Sequence, residues 1–158
     1  MTRPPRSPAP YAGPLEAHLG FWLRFVSNHV SGAFRQKLAT HGVSVAEWAL
    51  LRELEERGAI PPSRLAAHLG MTRGGITKVA DKLVARSLVT RTPDADDLRG
   101  QLLGLSGGGR RLIPVLAALA DANEREFFGH LPARQLAEMT SLLRGLVAHH
   151  GLHGVPLE

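Results

Sequence analysis

The segment from Pro61 to Leu105, PPSRLAAHLGMTRGGITKVADKLVARSLVTRTPDADDLRGQLLGL, constrains the fold of this chain more than any other. A first-turn proline lacks only an amide hydrogen that would have had no partner, so Pro61 and Pro62 introduce a short helix, SRLAAHL, that stops at Gly70. Thr72 is a good N-cap for a second helix, in which Ile76, Val79, Ala80, Leu83 and Val84 recur at the three-four spacing of one buried stripe. LVTR then reads as a strand, TPDADDLRG as a polar turn and QLLGL as a returning strand. Two short helices with a tight turn between them and a hairpin directly behind them leave few ways to close a core.

The outer face of the second helix carries Arg73, Gly74, Thr77, Lys78, Asp81 and Lys82. A basic face of small residues on the second of two short helices is what helix-turn-helix reading of DNA requires, and an ordinary solvated helix face has a similar composition. The hairpin decides between them. A reading helix fills the major groove while a hairpin tip, or wing, reaches the backbone or minor groove beside it, which puts Arg99 at the tip against DNA. Gly74 and Gly75 need a separate reason, because each costs about 1 kcal/mol against alanine in a helix interior and somewhat less near an end. One reason is close approach: the free amides and positive dipole end at Thr72, Arg73, Gly74 and Gly75 suit a phosphate, leaving base contact to Thr77 and Lys78. The other is that glycine is merely tolerated there.

The flanking segments read as helices. Leu15, Leu19, Trp22, Leu23, Val26, Val30, Phe34 and Leu38 mark a long amphipathic helix over 15–41, ending near His41 and Gly42. Ser44 caps a helix through Trp48, Leu50, Leu51 and Leu54 that stops at Gly58. Ser106 caps a helix from Gly107 to about His130, and a last helix runs from Pro132 to about His150. The helices at 15–41, 107–130 and 132–150 are too long and too apolar to pack only on a core of about 70 residues, so their stripes need another surface, which an isologous two-fold interface supplies.

Composition narrows the function. The net charge of +5 and a pI near 10.7 favour a polyanionic partner. There are no cysteines, which excludes disulfides, thiolate metal sites and thiol redox sensing and makes the cytoplasm the expected compartment. No run approaches the ~18 to 20 apolar residues that span a bilayer, and the start, MTRPPRSPAPYAGP, lacks the apolar region of a secretory signal. Residues 1–14 are expected to form a flexible proline-rich arm, with Arg3 and Arg6 solvated or, alternatively, touching DNA, and residues 15–158 a single domain.

Taken together, GVSVAEWALLREL at 42–54, SRLAAHLGMTRGGITKVADKLVARSLVTR at 63–91 and DDLRGQLLGLSGGGRRL at 96–112 resemble the MarR winged-helix transcriptional regulators. The resemblance implies a mainly α fold with a small β-hairpin wing. Residues 42–106 would form a winged helix-turn-helix lobe, with 15–41 and 107–151 as dimerisation helices of a triangular homodimer. It implies double-stranded DNA as partner, a pseudo-palindromic operator, and contacts from Arg64, Thr72, Arg73, Gly74, Gly75, Thr77, Lys78, Lys82, Arg91, Asp97 and Arg99. The family's Asp-x-Arg pair, which orders the wing and sends its arginine into the minor groove, is Asp97 and Arg99 here. Two positions depart from the pattern: Leu98 stands where many relatives carry a second arginine, and Ser87 where the turn after the reading helix usually holds glycine.

MarR-like proteins commonly sense small aromatic or phenolic anions between the dimerisation helices and the DNA-binding lobe, and here His18, Trp22 and Trp48 are the candidates to line such a cleft, with plain core as the alternative reading of Trp22 and Trp48. No phosphate loop, nucleophile elbow, zinc-protease or dinucleotide motif occurs, so no enzymatic activity and no cofactor are expected. His149, His150 and His153 cluster near the end of the chain, but adjacent histidines on a helix point different ways and no carboxylate stands at ligand spacing, so no metal is expected. The expected function is a DNA-binding repressor relieved by a small aromatic ligand. The alternatives are a winged-helix interaction module without DNA binding and a basic RNA-binding protein.

Overall fold

The computed structural model describes residues 13–97 and 100–152. The expected helices and hairpin are present: α1 Leu19–Ala39, α2 Val45–Arg57, α3 Pro62–Leu69, α4 Arg73–Ala85, β1 Val89–Pro93, β2 Gln101–Leu105, α5 Gly107–Phe128 and α6 Ala133–His149. The fold is thus mainly α with one small hairpin, as the resemblance implies.

The caps that start three of these helices are local chemistry. Ser44, Thr72 and Ser106 each accept a hydrogen bond from the amide three residues on, at Glu47, Gly75 and Gly109, satisfying one of the amides that a helix start leaves without a partner. At Ser44 the Glu47 carboxylate also accepts from the Ser44 amide at 2.7 Å, which completes a capping box. Between α3 and α4, Gly70 sits at φ 64 as the left-handed C-cap.

The first helix differs from its expected extent. Leu15–Ala17 form a separate 3-10 turn, and His18 is extended at φ −92, ψ 127, so α1 begins at Leu19. The indole Nε1 of Trp22 donates to the Glu16 carbonyl at 2.7 Å and folds that turn back over the start of the helix. The first strand also runs further than LVTR, as far as Pro93.

The core is built by the middle of the chain. Leu50, Leu51 and Leu54 of α2, Leu65 of α3, Ile76, Ala80 and Leu83 of α4, Val89 and Leu103 of the hairpin, and Ile113 and Leu116 of α5 are buried around Leu38, the single buried residue of α1. Burying each large side chain contributes about 1.5 to 3 kcal/mol. The hairpin pairs antiparallel from Val89↔Leu105 to Pro93↔Gln101. Ile60, just ahead of α3, exchanges both backbone hydrogen bonds with Leu103 at 3.0 Å, so the hairpin is sewn to the helix-turn-helix on its other edge.

The outer helices behave differently. No residue of α6 is buried, and Leu19, Trp22, Leu23, Phe25 and Val26 of α1 join Leu142, Leu143, Leu146 and Val147 of α6 as exposed apolar side chains.

Candidate nucleic-acid interface

Burial fixes which face of α4 meets solvent. Ile76, Ala80 and Leu83 are locked into the core, which turns Arg73, Thr77, Lys78, Asp81 and Lys82 outward, all exposed. Arg73, Lys78 and Lys82, with Arg64 on the exposed side of α3, have no ion-pair partner among the described residues. Cations that the fold leaves unpaired keep their charge available to a polyanion. Thr77 is turned toward its own helix, its hydroxyl donating to the Arg73 carbonyl at 3.0 Å.

At the start of α4 Thr72 Oγ1 caps the Gly75 amide at 3.0 Å and the Thr72 carbonyl accepts from the Ile76 amide, which among the described residues leaves the Arg73 and Gly74 amides without a hydrogen bond. The two first-turn glycines differ. A Cβ built on Gly74 would meet nothing within 4 Å, whereas one on Gly75 would lie 3.2 Å from Thr72 Oγ1 and 3.3 Å from Met71 Cε. Glycine at 75 therefore has an internal reason, the room needed by the cap. Glycine at 74 has none within the fold.

The wing stands beside this face. Arg91 of β1 forms an ion pair with Asp81 of α4, so this expected contact residue braces the wing against the reading helix. At the far end of the hairpin the Asp94 amide donates to the Gly100 carbonyl at 3.1 Å, and the Gly100 amide to the Asp97 carbonyl at 2.8 Å. Arg99 and Leu98 lie outside the described residues, as do Arg3, Arg6 and His153. A cleft of about 390 Å³ runs where α3, α4 and the wing meet, lined in part by Ser63, Arg73, Thr77, Asp94 and Asp97. Arg64, Thr72, Arg73, Gly74, Gly75, Thr77, Lys78, Lys82 and Arg91 thus fall on α3, α4 and the adjoining strand, with Asp97 at the wing's end.

The three residues expected to bind a ligand are not brought together. Trp22 lines an apolar cleft of about 490 Å³ with Leu23, Val26, Val30, Phe128 and Met139, and Trp48 is not among its lining residues. Trp48 instead packs edge-on against Phe34 at 6.3 Å, with the Arg52 guanidinium 5.6 Å from its ring centre. His18 marks the start of α1. The apolar pattern placed both tryptophans on inward faces, but it does not say which neighbour each inward face meets.

Residues that the sequence reading passed over also shape this region. The Arg86 guanidinium, at the C-terminal end of α4, donates to the carbonyls of Gly42 at 2.6 Å and His41 at 3.2 Å. Arg86 carries no mark except its place as the helix's last basic residue. Glu47 was legible as the fourth residue of SVAE, the capping-box spacing.

Comparison with known proteins agrees with this fold. The MarR family profile matches residues 41–100. An uncharacterized protein of Mycobacterium tuberculosis is 33% identical over 111 residues, covering 70% of this chain and 77% of that protein. Among solved structures, CouR from Rhodococcus jostii bound to p-coumaroyl-CoA superposes with a TM-score of 0.74 at 29% identity, covering 85% of this chain and 95% of that one. A mutant MarR from Escherichia coli complexed with operator DNA gives a TM-score of 0.74 at 25% identity, covering 82% of this chain and 93% of that one.

Proposed function

This chain belongs to the MarR family of transcriptional regulators, and we propose that it acts as a homodimeric repressor that binds a pseudo-palindromic operator and is released by a small aromatic ligand. One observation carries the reading: Arg73, Lys78 and Lys82 stand unpaired among the described residues on the exposed face of α4, whose opposite face is held in the core. Arg73 and the free first-turn amides take phosphate, Lys78 and Thr77 take base edges, and the wing follows the groove alongside. The operator-bound relative supports the partner.

The exposed apolar stripes of α1 and α6 support the dimer, because they cover two helices whose apolar side chains the chain's own core leaves uncovered. The acyl-CoA bound by CouR supports an organic effector. Such a ligand weakens operator binding by preferring a conformation in which the two reading helices do not match the half-sites, and a typical coupling of about 1 to 3 kcal/mol gives 5- to 150-fold release.

The test is a gel shift with the promoter upstream of the chain's own gene, against random duplex and structured RNA. Tight binding to the promoter alone is the expected result. Equal affinity for all three refutes sequence-specific recognition, and binding to none favours an interaction module. For the effector, a panel of aromatic carboxylates is titrated while tryptophan fluorescence and operator release are followed together. Trp22→Leu should abolish both responses, and a full response in that variant places the ligand elsewhere.

A further inference from the structure

Among the described residues two polar or charged side chains are buried, Glu47 at 6% exposure and Asn123 at 5%. A polar group removed from water costs free energy unless it finds partners, so the places where a small fold accepts that cost are informative. Asn123 lies against α1, and Glu47 follows the corner at its end. Asn123 of α5 donates through Nδ2 to the Val30 carbonyl at 3.2 Å and accepts from Lys37 Nζ at 3.1 Å, while Lys37 also pairs with Glu126 at 2.7 Å. The second half of α1 is thereby fastened to α5.

Glu47 lies at the other end of the connection, just past the corner where α1 turns into α2. Its carboxylate accepts from the Ser44 amide at 2.7 Å and stands 4.0 Å from the Arg86 guanidinium. Arg86 spans that corner, with Nη1 on the Gly42 carbonyl at 2.6 Å and Nη2 on the His41 carbonyl at 3.2 Å. Gly42 has φ 64, a left-handed conformation that glycine enters cheaply. The corner is therefore built on the residue with the most backbone freedom, and the guanidinium removes that freedom by holding its carbonyl. Only a planar fork with several donors reaches two adjacent carbonyls in one rigid arrangement, and an ammonium does not.

We propose that Arg86 is a positioning residue for operator recognition, which ties the C-terminal end of the reading helix α4 to the corner that ends α1. The proposal rests on the dimeric, operator-binding reading above. In that dimer the helices that meet the partner are joined to α4 through the shared core and the Ser106 hydroxyl on the Ser87 carbonyl at 2.6 Å, and on the α1 side through a polar run of contacts: α5 to α1 by Asn123 and Lys37, and the end of α1 to α4 by Arg86. The run sets the angle and separation of the two reading helices, and so the half-site spacing the protein accepts. One base pair more or less rotates a half-site by about 35° and shifts it by about 3.4 Å, which a rigid pair of helices cannot follow.

The experiment selects a palindromic duplex against the wild-type protein and measures affinity for that duplex, for versions one base pair longer and shorter between half-sites, and for a single half-site. The wild type is expected to lose about tenfold or more with either spacing change, and Arg86→Met less than about threefold, with half-site affinity within about twofold of wild type. Arg86→Lys should fall between them. The ratio between spacings cancels any uniform effect of the lost charge. Wild-type spacing selectivity in Arg86→Met overturns the proposal; if circular dichroism shows that variant unfolded, Arg86→Gln decides by the same ratio. A wild type that binds all spacings equally overturns the positioning role and leaves DNA binding intact, whereas a wild type that binds no duplex overturns the functional reading on which the proposal stands.

Discussion

Replacing each of the first-turn glycines of α4 by alanine separates a glycine kept for DNA from a glycine kept for the fold. Alanine is favoured over glycine by up to about 1 kcal/mol in a helix interior and by less at its second residue. At Gly74 the added methyl meets nothing within 4 Å, so Gly74→Ala should stabilise the protein by about 0.5 kcal/mol and raise Tm by about 1 to 2 °C. At Gly75 the methyl would stand 3.2 Å from Thr72 Oγ1 and 3.3 Å from Met71 Cε, so both must give by tenths of an ångström. Disturbing the Thr72 cap costs about 1 kcal/mol, which cancels the helix gain and leaves Gly75→Ala neutral to slightly destabilised.

The effect on DNA should run the other way. A methyl at Gly74 holds the phosphate off the free first-turn amides, and losing one such charge-assisted hydrogen bond costs about 1.5 to 3 kcal/mol, or about 10- to 150-fold in Kd. Thermal unfolding by circular dichroism and fluorescence anisotropy with a labelled operator read the two quantities on the same samples. A Gly74→Ala protein that is more stable and binds as tightly as wild type refutes the close-approach argument. A Gly74→Ala protein that loses stability shows instead that the residue serves the fold.

Three further outcomes are expected. Ser87 holds φ 56 in the turn after α4, where a non-glycine residue pays about 1 to 2 kcal/mol; Ser87→Gly should recover about 0.5 to 1 kcal/mol net of the freedom glycine adds to the unfolded chain, and an unchanged or lower Tm contradicts this. Leu103 is 1% exposed at the junction of wing and core, so Leu103→Ala should cost about 2 to 5 kcal/mol in urea unfolding, and a loss below about 1 kcal/mol would mean the wing is packed elsewhere. Sedimentation at micromolar concentration should give twice the chain mass of 17.0 kDa; Leu142→Glu with Val147→Glu, on exposed positions of α6, should give the single mass with α-helical content largely kept, and a double variant that stays dimeric removes α6 from the interface.

The sequence by itself determined what local forces decide. The serine and threonine caps at Ser44, Thr72 and Ser106, the stop at Gly70 and the hairpin strands came out within a few residues, because a cap, a turn and a period act over one or two turns of chain. It also determined which face of α4 is buried, since Ile76, Ala80 and Leu83 can share only one side of a helix, and hence which cations face outward. It did not distinguish Gly74 from Gly75, because the difference lies in what stands beside a Cβ that neither residue has. Nor did it place Trp48 against Phe34 and Trp22 in a separate cleft, or pair Arg91 with Asp81. Arg86 reaches a carbonyl 44 residues away and Asn123 one that is 93 residues away, and Ile60 meets Leu103 across the whole helix-turn-helix. Contacts of that range leave no periodic or compositional trace in the chain; they exist only once α1, α4 and α5 have packed around the same core and brought their ends within hydrogen-bond distance.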